Sequence, residues 1–258
     1  MENNTKYLFV IDIDGTLINT GDSEIRKEIV DEIENLKSKG HIFTISTGRN
    51  LNKILNIKYM EIFDYISVLM GSGIYHITTK SWIKNSDPLN LEETKKLIEY
   101  LSENNLFWAY KDDCCEKTLS DNKQEQIRFE AQKADESEYI KDLNEGNIKQ
   151  LLFRSHLPEN VKAEFKTINF FDMPDNYSDA SNISSSKANT IKFFKENFPE
   201  YTIVAIGDSD NDIPMLETAD ISIAMGNAKE KIKKFCTFTT KDINDNGLIY
   251  AFINILKI

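Results

Sequence analysis

The sequence is poor in the residues that most often hold soft metals or cross-links. It has three cysteines, Cys114, Cys115 and Cys236, and three histidines, His41, His76 and His156, whose spacing forms no ligand pattern. Adjacent Cys114 and Cys115 are badly placed to bridge each other, so free thiols in a reducing compartment are expected. The N-terminus lacks a basic segment followed by an apolar one, so no secretory signal is expected. No apolar run approaches the roughly twenty residues needed to cross a bilayer. An excess of positive charge is missing too: 31 Lys and Arg stand against 42 Asp and Glu, a formal net charge of −11. Such a surface repels nucleic acid and anionic membrane, and neither is expected as a partner. A small anion can still bind where a metal and a few cations gather. Internal repeats and low-complexity tracts are absent. These absences leave a soluble cytoplasmic protein, monomer or homodimer, with a small-molecule partner.

What is present is a strand–helix alternation at both ends of 258 residues, enough for a substantial core. Tyr7–Ile11 is an apolar, β-branched run suited to a buried strand. Ile25, Ile29, Ile33 and Leu36 recur at helical spacing, with Asp22 or Ser23 as the expected N-cap and Gly40 as the stop. His41–Ser46 reads as a strand, Asn50–Ile57 as a short helix and Tyr65–Met70 as a strand. The same grammar returns later: Lys187–Asn197 helical, Tyr201–Gly207 a strand, Ile213–Thr218 helical, and Ile221–Met225 a strand. Helices at Ala228–Phe235 and Asn244–Leu256 follow. Between the two ends, a helix at Leu91–Asn104 and strands at Leu106–Lys111, Ile148–Phe153 and Phe165–Phe171 are expected, while 112–146 is polar and weakly periodic. The expected fold is α/β: a Rossmann-like parallel-sheet core from residues 1–80 and 182–258, interrupted by an α+β cap domain over 81–181.

Open parallel sheets bind ligands beyond the carboxyl ends of their strands. Four polar clusters fall there or at a nearby helix start: Asp12 with Asp14, Thr47-Gly48-Arg49, Lys187, and Asp208 to Asp212. On an extended chain Asp12 and Asp14 leave on the same side, about 7 Å apart. If they meet Asp208 and Asp212, the carboxylates repel and raise one another's pKa. A hard divalent cation resolves this, and all-oxygen ligation beside a phosphate favours Mg2+. Calcium loops do not fit. An EF-hand register on Asp12, Asp14 and Gly15 puts Val10 at the first ligand position and Gly21 at the twelfth. One starting at Asp208 puts Ile213 where glycine is needed. Phosphoryl transfer suits the rest, since its spreading negative charge needs placed donors and cations. Thr47 offers a hydroxyl, Gly48 an open N–H, and Lys187 an ammonium at a helix start. An aspartate nucleophile would form an acyl phosphate, and a second aspartate would serve as acid and then base.

IDIDGTL, STGR, SSSK and GDSDNDIPML, in this order, resemble the four motifs of the haloacid-dehalogenase-like phosphatases. The resemblance implies that Asp12 is the nucleophile and Asp14 the general acid/base. It implies that Asp12, the main-chain carbonyl of Asp14, and Asp208 ligate Mg2+, with Asp212 a more remote or water-mediated ligand. Thr47, Gly48 and Lys187 would hold the phosphate, with Asn211 orienting it. The long insert lies between the second and third motifs, which resembles the type-IIB, Cof-like branch, as does MGNA (Met225–Ala228). Ser72-Gly73 and Ala188 depart from the branch's usual Asn-Gly and glycine.

Weighed singly, Asp210 reads as a helix N-cap, and Arg49 is balanced between substrate contact and structural ion pair. Trp108, Tyr110, Arg154 and His156 are read as core or satisfied residues. The expected activity is Mg2+-dependent hydrolysis of a small phosphorylated metabolite, a sugar phosphate being one candidate, under a cap that closes and selects the leaving group. The alternatives are a phosphomutase of the same fold and a non-catalytic phosphometabolite-binding regulator.

Overall fold

The structure, a computed structural model, describes residues 5–112, 116–118 and 148–258. The expectations for Cys114, Cys115 and nearly all of 112–146 lie outside the described residues; Cys236 is a free thiol. In chain order the strands are β1 (Tyr7–Ile11), β2 (Ile42–Ser46), β3 (Tyr65–Val68), β4 (Gly73–His76), β5 (Ser81–Lys84), β6 (Trp108–Lys111) and β7 (Glu116–Thr118). They continue with β8 (Gln150–Phe153), β9 (Ile168–Met173), β10 (Tyr177–Asn182), β11 (Thr202–Gly207), β12 (Ile221–Ala224) and β13 (Phe238–Thr239). The chain divides into two compact units, Met1–Arg49 with Lys53–Asn85 and Ser186–Ile258, and Ser86–Ser185 with Asn50–Asn52.

The first unit holds a sheet ordered β13-β12-β11-β1-β2-β3-β4-β5. It is parallel from β13 to β3 and antiparallel across β3, β4 and β5. Strand β1 lies between β2 and β11, so the two sequence halves meet along one strand, and its five residues are all buried. Its alternation serves two faces. Leu8 and Val10 join a cluster with Ile191, Phe194 and Met215. Phe9, on the other face, stacks on Phe43 at 4.6 Å and meets Phe252 edge-on at 5.1 Å. The hairpin into β5 keeps residues 81–84 in this sheet, so the first unit extends to Asn85 and resumes at Ser186, a few residues from the expected limits.

Helix α1 (Lys27–Ser38) buries Ile29, Val30, Ile33 and Leu36, yet neither Asp22 nor Ser23 caps it. Arg26 stands at the N-cap without a side-chain bond. The reason is tertiary: Ser23 O accepts from Lys58 N at 2.9 Å and Ile25 N donates to Lys58 O at 3.3 Å, which holds this segment extended. Helix α2 is Leu51–Leu55. The expected helix over Asn244–Leu256 is also interrupted. Asn246, at φ 58, separates a 3-10 turn (Ile243–Asp245) from Gly247–Tyr250, after which the chain runs on as a π-helix.

The second unit is an antiparallel sheet ordered β7-β6-β8-β10-β9. Helix α3 (Leu91–Glu103) is capped by Asn90, whose side chain accepts from Glu93 N at 3.1 Å. Its Leu97, Ile98 and Leu101 cluster with Trp108, Tyr110, Leu151 and Phe153, so both aromatics are core, as weighed. His156 Nε2 lies 2.9 Å from Met173 O. Neither β4, β5 and β13 in the first unit nor α4 (Glu159–Lys162) and β10 in the second, where YSDASN hides a strand in polar letters, was expected from the sequence. Among the described residues, no helix is long and apolar enough to cross a membrane.

Candidate active site

Asp12 follows β1 directly, in phase with Leu8 and Val10. Its N–H still donates to Ile206 O of β11 at 3.1 Å, so the backbone is held where the strand ends. Lys187 immediately precedes α5 (Ala188–Asn197) and is 1 % exposed. Its Nζ donates to Asp12 Oδ1 and to Asp212 Oδ1, both at 2.6 Å. Residues 175 positions apart are thereby joined at one ammonium.

The acidic loop after β11 is rigid by hydrogen bonding. Asp212, fully buried, accepts at Oδ2 from Asp208 N (3.0 Å), Ser209 N (2.9 Å) and Ser209 Oγ (3.1 Å). Ser209, rather than Asp210, caps the 3-10 turn that leads into α6 (Ile213–Thr218). Asp210 instead pairs with Lys231 at 2.6 Å, on the short helix α7 (Glu230–Lys233). Asn211 Oδ1 accepts from Ser209 Oγ at 2.8 Å. Asp208 accepts from Thr16 Oγ1 at 3.2 Å. Gly15 (φ 81) has to be glycine twice over, because any Cβ there would run into the Asp208 carboxylate.

One oxygen from each of Asp12, Asp208 and Asp212 can be chosen so that all lie within 4.8 Å of one another. Three carboxylates converge, and the one ammonium beside them is bonded to Asp12 and Asp212. Burial and the charge of Asp212 push the Asp12 carboxyl well above its ordinary range, against the pull of Lys187. Asp208 is pushed up to about 6 by burial and by Asp212. Burial opposes the charge on Lys187, but Asp12 and Asp212 outweigh it and hold the ammonium charged beyond its usual range. An all-oxygen donor set with surplus negative charge fits a hard divalent cation.

Asp14 stands apart from this cluster. The chain leaves the extended conformation after Asp12, since Ile13 O accepts from Thr16, Leu17 and Ile18 N, so the expected same-side spacing does not apply. The Asp14 carboxylate is instead gripped by Arg49, Nε at 3.0 Å and Nη2 at 2.6 Å, which settles Arg49 as an ion-pair partner here. Of the four residues expected at the metal, the carboxylates of Asp12, Asp208 and Asp212 converge; for Asp14 only the main-chain carbonyl was ever implied.

Thr47, 2 % exposed, donates its N–H to Ser67 O at 3.0 Å, and its Oγ1 accepts from Arg49 N at 3.2 Å. The loop is braced by Leu69 N to Arg49 O (3.2 Å) and Met70 N to Thr47 O (3.0 Å). That brace needs three successive residues at positive φ, Leu69, Met70 and Gly71, strain of the kind found near functional sites. A Cβ on Gly71 would collide with the Ser186 carbonyl, just before Lys187. Gly71 was missed, although its place after a β-strand was a signal. Asn227 was missed too: its Nδ2 donates to Gly15 O at 2.8 Å and lies 3.4 Å from Asp208 Oδ2, while Oδ1 accepts from Ile243 N at 3.1 Å. The MGNA stretch carried that signal.

The chain is 26% identical over 257 residues to the 5-amino-6-(5-phospho-D-ribitylamino)uracil phosphatase YitU of Bacillus subtilis, covering 94% of each chain. Its fold matches BT1666, a phosphatase of Bacteroides thetaiotaomicron, with TM-score 0.82 at 22% identity over 100% of this chain and 97% of that one. It also matches the subclass IIB sugar phosphatase BT4131 with TM-score 0.80 at 21% identity, over 98% and 100%. The profile of the haloacid dehalogenase-like hydrolases matches residues 9–252, and the chain belongs to that family.

Proposed function

We propose that this protein is a Mg2+-dependent phosphatase acting on monoesters of small phosphorylated metabolites, through a phosphoryl group carried on Asp12. The observation that carries this reading is the convergence of Asp12, Asp208 and Asp212 around Lys187. The relatives named as phosphatases, three of them for a phosphorylated ribityl compound and one for phosphoglycolate, support the substrate class.

Asp12 Oδ attacks phosphorus in line with the ester oxygen, forming an acyl phosphate as the P–O ester bond breaks. Asp14 gives its proton to the departing oxygen. It then takes a proton from water, which attacks phosphorus and releases orthophosphate, regenerating the Asp12 carboxylate. Lys187 and the Thr47–Gly48 loop hold the phosphoryl oxygens, with Asn211 orienting the site. Asp12, Asp208 and the Asp14 carbonyl would hold Mg2+, which supplies charge neutralisation for the transferring phosphoryl group. Asp212, already accepting four hydrogen bonds, orders Lys187 and the loop and reaches the ion more remotely. The second unit is the proposed specificity domain.

The test is a panel of phosphorylated metabolites assayed with Mg2+ or chelator, for wild type and Asp12→Asn. Orthophosphate release by wild type alone is expected; equal release by both proteins would falsify the nucleophile assignment. An isomerised sugar phosphate without orthophosphate would indicate a mutase. Asp14→Asn is expected to keep metal binding and lose turnover.

A further inference from the structure

The ends of β2 and β3 and the first turn of α5 meet at three fully buried hydroxyls. Thr190 Oγ1 lies 2.7 Å from Ser67 Oγ and 3.1 Å from Ser46 Oγ. A buried hydroxyl costs free energy unless it is hydrogen-bonded, and apolar side chains of similar size would fill this space without that cost. A helical threonine commonly turns its hydroxyl back onto its own helix. Thr190 instead reaches two strands. Packing alone does not account for it.

The wiring of these hydroxyls does. Ser67 acts twice: its carbonyl accepts from Thr47 N at 3.0 Å, and its hydroxyl meets Thr190, three residues past Lys187. Ser46 immediately precedes Thr47. Both groups assigned to the phosphate are therefore tied to one node, Thr47 through β2 and β3 and Lys187 through α5. Buried networks of this kind, fully satisfied, hold a unique geometry.

From this wiring we infer that Ser46, Ser67 and Thr190 are positioning residues that fix the separation of Thr47 from Lys187 and so set the affinity for the phosphoryl group. None of the three touches the reacting atoms. The inference rests on the phosphatase reading above.

The experiment uses Mg2+-loaded protein with p-nitrophenyl phosphate as substrate and orthophosphate as competitive inhibitor. Displacement of a binding group by a fraction of an ångström supports a change of roughly tenfold. Thr190→Val is expected to raise KM and the orthophosphate Ki by that factor, with kcat changed less. Thr190→Ser, which restores the hydroxyl, is expected within about twofold of wild type on the same argument. Ser67→Ala should reproduce the valine effect and replaces Thr190→Val should that variant not fold. Unchanged Ki in Thr190→Val and Ser67→Ala overturns the inference. So does equal loss in the serine and valine variants, which would mean that shape, not the hydroxyl, matters. Wild type that neither hydrolyses the ester nor binds orthophosphate overturns the phosphatase reading itself, and this inference with it; an active wild type confines any failure to the positioning role.

Discussion

Lys187 in the first unit and Lys111 in the second are both buried, and both are paired with aspartate. Lys111 Nζ meets Asp179 Oδ1 at 2.7 Å, the two side chains 6% and 2% exposed. Lys187 meets Asp12 and Asp212 at 2.6 Å each, with Asp208 close by. Among the described residues, one cation faces one anion at Lys111, a pair that can be exchanged for apolar residues without leaving a charge behind. At Lys187 the anions outnumber the cation, and the strain shows in the raised carboxyls of Asp12 and Asp208. Burial of charge does not distinguish a site from a strut; its imbalance does, because imbalance has to be relieved by something that binds.

The largest effects test that distinction directly. Asp12→Asn should lower kcat by at least about a thousandfold, as loss of a nucleophile does, while the protein stays folded. Lys111→Met should do the reverse. Leaving Asp179 buried and unpaired costs roughly 3–5 kcal/mol, read as a lower urea midpoint, with kcat on p-nitrophenyl phosphate essentially unchanged. The double variant Lys111→Met/Asp179→Leu should recover most of that stability. A double variant as unstable as the single one would show that Lys111 and Asp179 serve more than each other.

How much of this was legible beforehand follows from the same contrast. Tyr7–Ile11, the acidic pairs and Lys187 were readable because strand-end carboxylates and a helix-start lysine are local patterns, and the fold class followed from the strand–helix alternation. The Lys111–Asp179 pair was not readable. Lys111 closes an apolar strand and Asp179 sits in YSDASN, and nothing local says that β6 and β10 bring them together. The Arg49 grip on Asp14 and the extended path of Asp22 to Ile25 escaped for the same reason, since each is set by a partner 33 to 35 residues away. Ser209 won the cap over Asp210 by reciprocal bonding with Asp212, a choice that spacing alone leaves open.

A smaller effect separates the two lysines through pH. Asp208 rises from an ordinary 3.8 to about 6 in the folded protein. Between those values the native Asp208 holds more proton than it does in the unfolded chain, so its contribution to metal-free stability falls as pH rises through about 6. A divalent cation bound to the ionised cluster offsets that loss. At one hundred times its dissociation constant it adds about 2.7 kcal/mol, a rise in Tm of roughly 5 to 10 °C for a chain of this size. The Mg2+-induced rise should therefore be larger at pH 7.5 than at pH 5, and should shrink in Asp208→Asn. A rise of equal size at both values would detach the carboxylate strain from metal binding.

The smallest expected effect concerns Asn227, which holds Gly15 O and approaches Asp208 Oδ2 without joining the carboxylate cluster. Removing its amide costs one ordinary hydrogen bond to the loop, about 1 kcal/mol, because the second contact, at 3.4 Å, is weak. If Asp208 is placed mainly by its own strand and by Thr16, Asn227→Ala should weaken Mg2+ binding about fivefold, the equivalent of that one bond. Calorimetric titration of Mg2+ into both proteins measures this. A loss of a hundredfold or more would mean that the amide, not the strand end, aims Asp208, and the cluster would then depend on a loop contact from Asn227 as much as on the two strands that bring its carboxylates together.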